Sequence, residues 1–127
     1  MSERPVVMVV EDDAEMNDLE RELLEVHGLD SIAAYTGSQA VEVWGRCRTD
    51  AVLLDVMLPE LDGFETCRQI KGLNGGNVPI VIVTALDSED CRRRGFEVGA
   101  DAYFTKPFDP DEIVAALRNL INKRAQH

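Results

Sequence analysis

Short apolar runs alternate with amphipathic stretches five times along this 127-residue chain. The runs are residues 6–10, 30–35, 51–55, 79–84 and 102–105. Such continuous apolar runs are typical of strands buried on both faces, and the stretches between them carry apolar residues at helical spacing. This alternation, with right-handed crossovers, predicts an α/β fold. We expect a doubly wound (βα)₅ sandwich of three layers around a five-stranded parallel sheet.

Capping residues mark where the predicted helices begin and end. Thr36 and Ser88 stand before the second and fourth helices, and Gly28 follows the first. The apolar stripe of the first helix is Met16, Leu19, Leu23 and Val26. The stripe of the fourth helix is the shallowest and consists chiefly of Cys91, Phe96 and Val98. We therefore expect the fourth helix to be the least firmly docked.

Composition narrows the class of protein. The length suits one domain whose core needs no disulfide or metal, and no apolar stretch approaches the roughly 20 residues needed to span a membrane. No secretory signal precedes the first strand, and the three cysteines lack a paired spacing, as in cytosolic proteins. A net charge of −11 argues against nucleic-acid binding. We expect residues 1–127 to form one cytoplasmic domain that binds neither nucleic acid nor membrane.

Acidic residues collect at the carboxyl ends of two predicted strands. Glu11, Asp12 and Asp13 follow the first strand and Asp55 ends the third. Those strands are neighbours in a doubly wound sheet, so the carboxylates share one crevice, where they repel by several kcal/mol. A hard divalent cation relieves this repulsion, and Mg²⁺ suits it, with Mn²⁺ as a substitute. The alternative is that these acids only cap the first helix, which is the better interpretation for Asp13.

Phosphate is the expected partner of this crevice. Lys106 follows the last strand and adds a cation to the acidic strand ends. No glycine-rich phosphate-binding motif is present, so a nucleotide or flavin site of that kind is excluded. A phosphate group could then approach only with a cation between. The pattern suggests phosphoryl transfer to the protein itself, on Asp55.

Together these residues resemble the receiver domain of two-component response regulators over nearly the whole chain. The matched elements are Val9-Val10-Glu11-Asp12, Leu54-Asp55-Val56-Met57-Leu58-Pro59 with Asp62-Gly63, Thr84-Ala85, and Gly99-Ala100-Asp101 with Tyr103 and Lys106-Pro107-Phe108. Asp12 and Asp55 are 43 residues apart, and Thr84 and Lys106 are 22 apart. The resemblance implies a flavodoxin-like sheet with strand order 2-1-3-4-5.

The resemblance also implies the roles of the acidic residues. Asp55 would be the phosphoacceptor, taking a phosphoryl group from a histidine kinase or a His-phosphotransfer protein. Asp12, Asp55 and the main-chain carbonyl of Met57 would bind Mg²⁺ directly, and Glu11 would bind it through a water molecule. The domain would not be an enzyme in the ordinary sense, since it would assist only its own phosphorylation and dephosphorylation.

Residues after the last two strands would carry the signal. By resemblance, Lys106 would pair with the phosphoryl oxygens, and Thr84 with Ala85 would bind the phosphoryl group once formed. Tyr103 would rotate inward behind Thr84, and the Lys106–Pro107 peptide bond is expected to be cis. The switch would alter the face formed by the fourth helix, last strand and last helix, which would control an effector domain or partner.

That face is also where related receivers form phosphorylation-dependent homodimers. Arg92, Glu97 and Asp101 fit the charged network expected there, but Ala102 and Ala116 stand in place of an acid and an arginine. The sequence therefore leaves a homodimer open. Met57 and Leu86 occupy positions where polar side chains orient attacking water in related proteins. Because both are apolar here, we predict slow self-dephosphorylation.

Two other classes of protein share parts of this pattern. One is a Mg²⁺-dependent hydrolase with an aspartyl-phosphate intermediate, which places a second aspartate two residues after the first. Met57 stands at that position, and the chain has no room for a cap domain. The other class is an inert (βα)₅ protein-binding module with a vestigial site. The presence of all the expected acids, with Thr84 and Lys106, argues against it.

Overall fold

The predicted alternation of strands and helices is confirmed in a computed structural model, which describes residues 4–59, 61–73 and 77–125. The elements are β1 (Val6–Val10), α1 (Ala14–Val26), β2 (Asp30–Ala34), α2 (Gly37–Arg46), β3 (Ala51–Leu54), α3 (Gly63–Lys71), β4 (Ile80–Thr84), α4 (Glu89–Glu97), β5 (Ala102–Thr105) and α5 (Pro110–Ala125). Three strands, β2, β3 and β4, are one residue shorter than predicted. The predicted loop 72–77 is described only at its ends, since residues 74–76 lie outside the described ranges.

The five strands form one parallel sheet with the order β2-β1-β3-β4-β5. This is the predicted flavodoxin-like arrangement, in which the chain reverses direction across the sheet between β1 and β3. Val10 pairs with Ala34 on one side and with Leu54 on the other. The residues that follow β1 and β3 therefore lie side by side at the carboxyl edge of the sheet.

Alternate residues of each strand pack against opposite helical layers. Val7 and Val9 of β1 lie in the core formed with α1 and α5, whereas Met8 and Val10 lie in the core formed with α2 and α3. All four side chains are buried, as expected for a sheet covered on both faces. The central strands are thus rigid supports for whatever lies at their ends.

The inward face of α1 differs from the predicted apolar stripe. Leu19 is 59% exposed and Val26 is 82% exposed, while Asn17 and Glu20 are buried beside Leu24. The helix lies over the end of β1, where main-chain carbonyls need donors, so a polar side chain is favoured at its inner surface. Hydrophobic spacing therefore misidentified part of the buried face.

Helix α4 is the most weakly buried helix of the sandwich, as its shallow stripe predicts. Gly95 is its only fully buried residue, and the side chain of Phe96 is half exposed rather than docked. The cap residues Thr36 and Ser88 accept main-chain N–H groups of α2 and α4 as predicted. In the described ranges, no helix is long and apolar enough to cross a membrane.

Candidate functional site

The carboxyl ends of β1 and β3 hold two acidic side chains next to each other. The N–H of Asp55 donates to the carbonyl of Val10 at 3.0 Å, which continues the β1–β3 ladder by one residue. Asp55 is 8% exposed and Glu11 is 3% exposed, whereas Asp12 is open to solvent. Register alone therefore places Glu11 and Asp55 in the same crevice, and the next residue after Glu11, Asp12, is exposed.

Lys106 bridges the two buried carboxylates. Its Nζ lies 2.8 Å from Oε1 of Glu11 and 2.9 Å from Oδ2 of Asp55. The N–H of Lys106 donates to the carbonyl of Thr84 at 2.8 Å, which anchors the residue at the end of β5. The Lys106–Pro107 peptide bond is cis, as the resemblance implies. Three residues separated widely in sequence thus meet around one ammonium group.

The remaining oxygen of Asp55 is bound by the loop that follows it. The N–H of Met57 donates to Oδ1 of Asp55 at 2.9 Å, so the chain folds back over the carboxylate. Asp62 then caps α3 by accepting the N–H of Glu65 at 2.9 Å. With Lys106 on one oxygen and Met57 on the other, the Asp55 carboxylate is held at both ends.

Burial and charge act in opposite directions on the titration of these groups. Burial raises the pKa of Glu11, although its hydrogen bonds from Lys106 and from the N–H of Asp13 oppose the shift. Burial alone would lower the pKa of Lys106, but the hydrogen bonds and charges of Glu11 and Asp55 outweigh it and raise the pKa. Lys106 is therefore firmly cationic and balances only part of the negative charge around it.

Thr84 and Tyr103 lie on the β4 and β5 side of the crevice and share the main chain of Leu86. Oγ1 of Thr84 accepts the N–H of Leu86 at 3.4 Å, and the hydroxyl of Tyr103 donates to its carbonyl at 2.7 Å. Both side chains are buried, and burial raises the pKa of Tyr103. Tyr103 thus occupies the inward position already, while Ala85 lies exposed between Thr84 and Leu86.

Two buried polar residues of α1 were not identified by the sequence analysis. Nδ2 of Asn17 lies 3.1–3.2 Å from the carbonyls of Val9, Glu11 and Ala34, so it fastens α1 to the ends of β1 and β2. Glu20 is 5% exposed, and its Oε2 has no hydrogen-bond partner. A polar residue between apolar positions of a helix was the only signal for either.

The donor set at the crevice is composed of oxygen atoms. Glu11, Asp12 and Asp55 supply carboxylates, and the main chain of Met57 lies against Asp55. Within the described ranges, no three acidic, histidine or cysteine side chains form a ready metal cage. Mg²⁺ needs only one or two carboxylates, since it keeps several waters. The crevice therefore fits Mg²⁺ better than a metal that requires a full set of side-chain ligands.

Comparison with known proteins places this geometry in a family. The family model for the response regulator receiver domain matches residues 7–118. Response regulator MprA of Mycobacterium tuberculosis strain H37Rv is 39% identical over 117 residues, which are 92% of this chain and 50% of that protein. The chain thus spans about half the length of the curated relatives it matches.

Solved structures agree with this assignment. The BeF₃-activated N-terminal receiver domain of Klebsiella pneumoniae RstA is 37% identical, with a TM-score of 0.85 over 91% of this chain and 97% of that one. The receiver domain of the sensor histidine kinase PA1611 from Pseudomonas aeruginosa PAO1 is 30% identical, with a TM-score of 0.86 over 94% and 99%. That structure is described with a magnesium ion coordinated in its active-site cleft.

Proposed function

This chain belongs to the response regulator receiver domain family, and on that premise we propose that Asp55 accepts a phosphoryl group in a Mg²⁺-dependent reaction. The observation that carries the proposal is the placement of Asp55 at the sheet edge, between the ammonium of Lys106 and the N–H of Met57. The donor would be a histidine kinase or a His-phosphotransfer protein. Residues 1–127 would act as a single receiver domain.

The acidic residues would hold the metal. Asp12, Asp55 and the carbonyl of Met57 are the proposed direct ligands, and Glu11 would act through a water molecule. Bound there, Mg²⁺, or Mn²⁺ in its place, would supply charge neutralisation between the carboxylates and the incoming phosphate oxygens. Asp12 directly follows the buried Glu11 and is exposed to solvent, from which a hydrated cation would enter, and this supports its assignment as a ligand.

The contribution of the chain itself to the reaction would be to position the Asp55 carboxylate and the incoming phosphoryl group. An oxygen of Asp55 forms a bond to phosphorus as the bond from phosphorus to the donor histidine nitrogen breaks, and the electron pair leaves with the imidazole. Lys106 already contacts Asp55 and would bind the transferred group as a compact cation. The N–H of Met57 holds the carboxylate at a fixed angle. No side chain needs to act as a general acid or base.

Phosphorylation would then be read through Thr84. The group adds roughly −1.5 to −2 charge and strong acceptor oxygens beside Asp55. The Thr84 hydroxyl and the main chain of Ala85 are the proposed donors to it, and a turn of Thr84 would weaken its contact with Leu86. Because the Tyr103 hydroxyl is also hydrogen-bonded to Leu86, the Tyr103 side chain would move, and the packing of α4, β5 and α5 would change with it. That face would contact an effector or form a phosphorylation-dependent homodimer.

Intact-mass measurement after incubation with acetyl phosphate and Mg²⁺ tests the proposal. We expect a gain of one phosphoryl group that hydroxylamine removes, because the product is an acyl phosphate. Asp55→Asn should abolish the gain, whereas Asp90→Asn, which changes an acid 88% exposed on α4, should retain it. Turnover of phosphate esters would instead support the hydrolase, and no Mg²⁺-dependent gain would support the inert module.

A further inference from the structure

Glu20 is a buried acid that the proposed reaction does not use. It lies on the second turn of α1, is 5% exposed, and leaves Oε2 without a hydrogen-bond partner. A buried carboxylate oxygen without a hydrogen-bond partner is costly whether the group is charged or neutral. Such a residue at an inward position, where an apolar side chain would pack at no such cost, calls for an explanation beyond folding.

The surroundings of Glu20 connect it to the Asp55 site. Glu20 and Lys106 line the same open groove of about 520 Å³ between α1 and the start of α5, with apolar walls that include Leu23 and Phe108. Lys106 is also the cation that bridges Glu11 and Asp55. The Lys106 ammonium therefore contacts two buried carboxylates, and Lys106 lines the same apolar groove as a third.

The charges that act on Glu20 come mainly from that site. Burial raises its pKa to about 7; the positive charge of Lys106 opposes this, and the negative charges of Glu11 and Asp55 add to it. The other charged groups near α1 are engaged elsewhere: Arg21 with Asn17 and Asp18, and Arg118 and Asp111 with His27 at the far end of the helix.

We propose that Glu20 is a positioning residue of the Asp55 site, which takes up a proton when negative charge is added at Asp55 and releases one when a divalent cation binds. The charge of the Glu20 carboxyl group thereby alters how strongly the Lys106 ammonium interacts with Glu11 and Asp55. The phosphoryl and Mg²⁺ parts of this proposal rest on the function proposed above. The coupling between Glu20 and the charge at Asp55 does not, and it can be tested separately.

The sign of the coupling follows from linkage. Mg²⁺ in the crevice favours ionised Glu20, so ionised Glu20 favours Mg²⁺ to the same extent. Phosphorylation adds negative charge and favours the protonated form of Glu20. The phosphorylated state therefore becomes more stable relative to the unphosphorylated state as the pH falls through the neutral range. A displacement of about half a pKa unit at Glu20 corresponds to an about threefold change in Mg²⁺ affinity between acidic and basic limits.

The decisive measurement is a side-chain titration of Glu20 by NMR on glutamate-labelled protein, with the resonance identified by its absence in Glu20→Gln. We expect its midpoint to fall by about half a unit or more on saturation with Mg²⁺ and in Asp55→Asn. It should rise when acetyl phosphate is added to the Mg²⁺-bound protein. Because the Asp55→Asn arm needs no phosphoryl group, coupling stays testable even if phosphorylation fails.

Mg²⁺ binding provides an independent readout. Wild-type protein should bind Mg²⁺ about threefold more tightly at pH 8 than Glu20→Gln, and the two should agree at pH 6, where Glu20 is neutral. Glu20→Asp should restore the pH dependence. Glu22→Gln, which changes an exposed acid on the same helix, should behave as wild type.

Two results would overturn the coupling. One is a Glu20 midpoint that is the same in wild type, Mg²⁺-bound protein and Asp55→Asn. The other is a Mg²⁺ affinity whose pH dependence is unchanged in Glu20→Gln. If the coupling holds but no phosphoryl group is gained, the function proposed above fails and the electrostatic link stands.

Discussion

A single lysine offsets part of an excess of acidic side chains at the carboxyl edge of the sheet. Lys106 contacts both Glu11 and Asp55, which are almost completely buried, and Asp12, the residue after Glu11, is exposed. Its own positive charge can offset only one of the neighbouring negative charges. The site is therefore sensitive to any charge that enters it, because added cation completes the balance and added phosphate disturbs it.

Glu20 should make the stability of the fold fall as the pH rises. Its folded-state pKa of about 7 lies above the ordinary value of 4.5, so the folded protein binds the proton more tightly. This contribution is fully present below pH 4.5 and is lost between there and about pH 7. We expect Glu20→Leu to gain about 3 kcal/mol over wild type between pH 4 and pH 8, measured by urea unfolding.

The exposed acid Glu22 provides the matched control for that series. Glu22→Leu should show no comparable growth of the stability difference with pH, since its side chain stays in water. Parallel pH profiles for wild type and Glu20→Leu would contradict the assignment of a proton to buried Glu20.

The residues beside Asp55, the proposed phosphoacceptor, are expected to set the lifetime of the phosphoryl group. Met57 is about half exposed at the mouth of the site, and Leu86 lies partly buried across it. Neither side chain can orient a water molecule for attack. We expect Met57→Asn combined with Leu86→Glu to accelerate loss of the phosphoryl group about tenfold or more, since positioned groups of this kind contribute on that scale. Decay is followed by intact mass after removal of acetyl phosphate.

That comparison needs a variant that changes both side chains without adding a polar group. Met57→Leu with Leu86→Met keeps both positions apolar and should decay at the wild-type rate. Equal decay in the polar and apolar double variants would refute the role of these positions.

At the scale of elements, the sequence predicted the strands better than the faces of the helices. A strand buried on both sides is identified by its apolar run alone, as β1 and β4 illustrate. A helix that covers strand ends must also satisfy carbonyl groups, and Asn17 of α1 does so with three of them. Spacing rules assume an apolar inner surface, so they favoured Leu19 over Asn17. Which carbonyl groups lie under the helix depends on how the helix packs on the sheet, and this cannot be predicted from the sequence.

Helix α4 owes its position to a glycine under an aromatic ring. A Cβ on Gly95 would lie 2.8 Å from Cδ2 of Tyr103 and 3.2 Å from Cδ1 of Ile82. We expect Gly95→Ala to lose about 1–2 kcal/mol of stability, because overpacking outweighs the about 1 kcal/mol gained from helix propensity. The Tyr103 ring should also shift outward and lose its bond to Leu86. Urea unfolding and the Tyr103 ring resonances measure these effects.

Gly45 of α2 is a control position at which the effect of helix propensity can be measured without an effect of packing. A Cβ there would meet nothing within 4 Å, so Gly45→Ala should gain up to about 1 kcal/mol. If Gly95→Ala gained stability to the same degree, the proposed contact between α4 and Tyr103 would not control the position of the helix.

At the scale of the whole molecule, the parallel sheet brings residues that are distant in sequence close together in space. Glu11, Asp55 and Lys106 follow three strands, and parallel topology brings those ends to one edge. This is why the sequence predicted that these residues meet. The inward position of Tyr103 and the double attachment of Leu86 depend on side-chain packing, which strand order does not specify. The described geometry therefore adds the contacts of Tyr103 and Leu86, through which we propose that the signal leaves the site.

The contacts that connect Thr84 to helix α4 lead to the final prediction. Leu86 is held by Thr84 on its N–H and by Tyr103 on its carbonyl, and Tyr103 in turn lies 5.2 Å from the Arg92 guanidinium of α4. If the Thr84 hydroxyl turns toward a phosphoryl group, the balance between two packings of this segment needs to change by only a few kcal/mol. We expect phosphorylation by acetyl phosphate with Mg²⁺ to move the amide resonances of residues 85–105.

The opposite edge of the sheet supplies the internal reference for that experiment. Thr49 and Asp50 precede β3 at its amino end, far from the carboxyl edge, and their resonances should change little. Asp55→Asn should show none of the shifts, since it cannot carry the group. Phosphorylated protein whose residues 85–105 keep their resonances would exclude this segment as the path of the signal, because a packing change cannot occur without altering the environment of those amides.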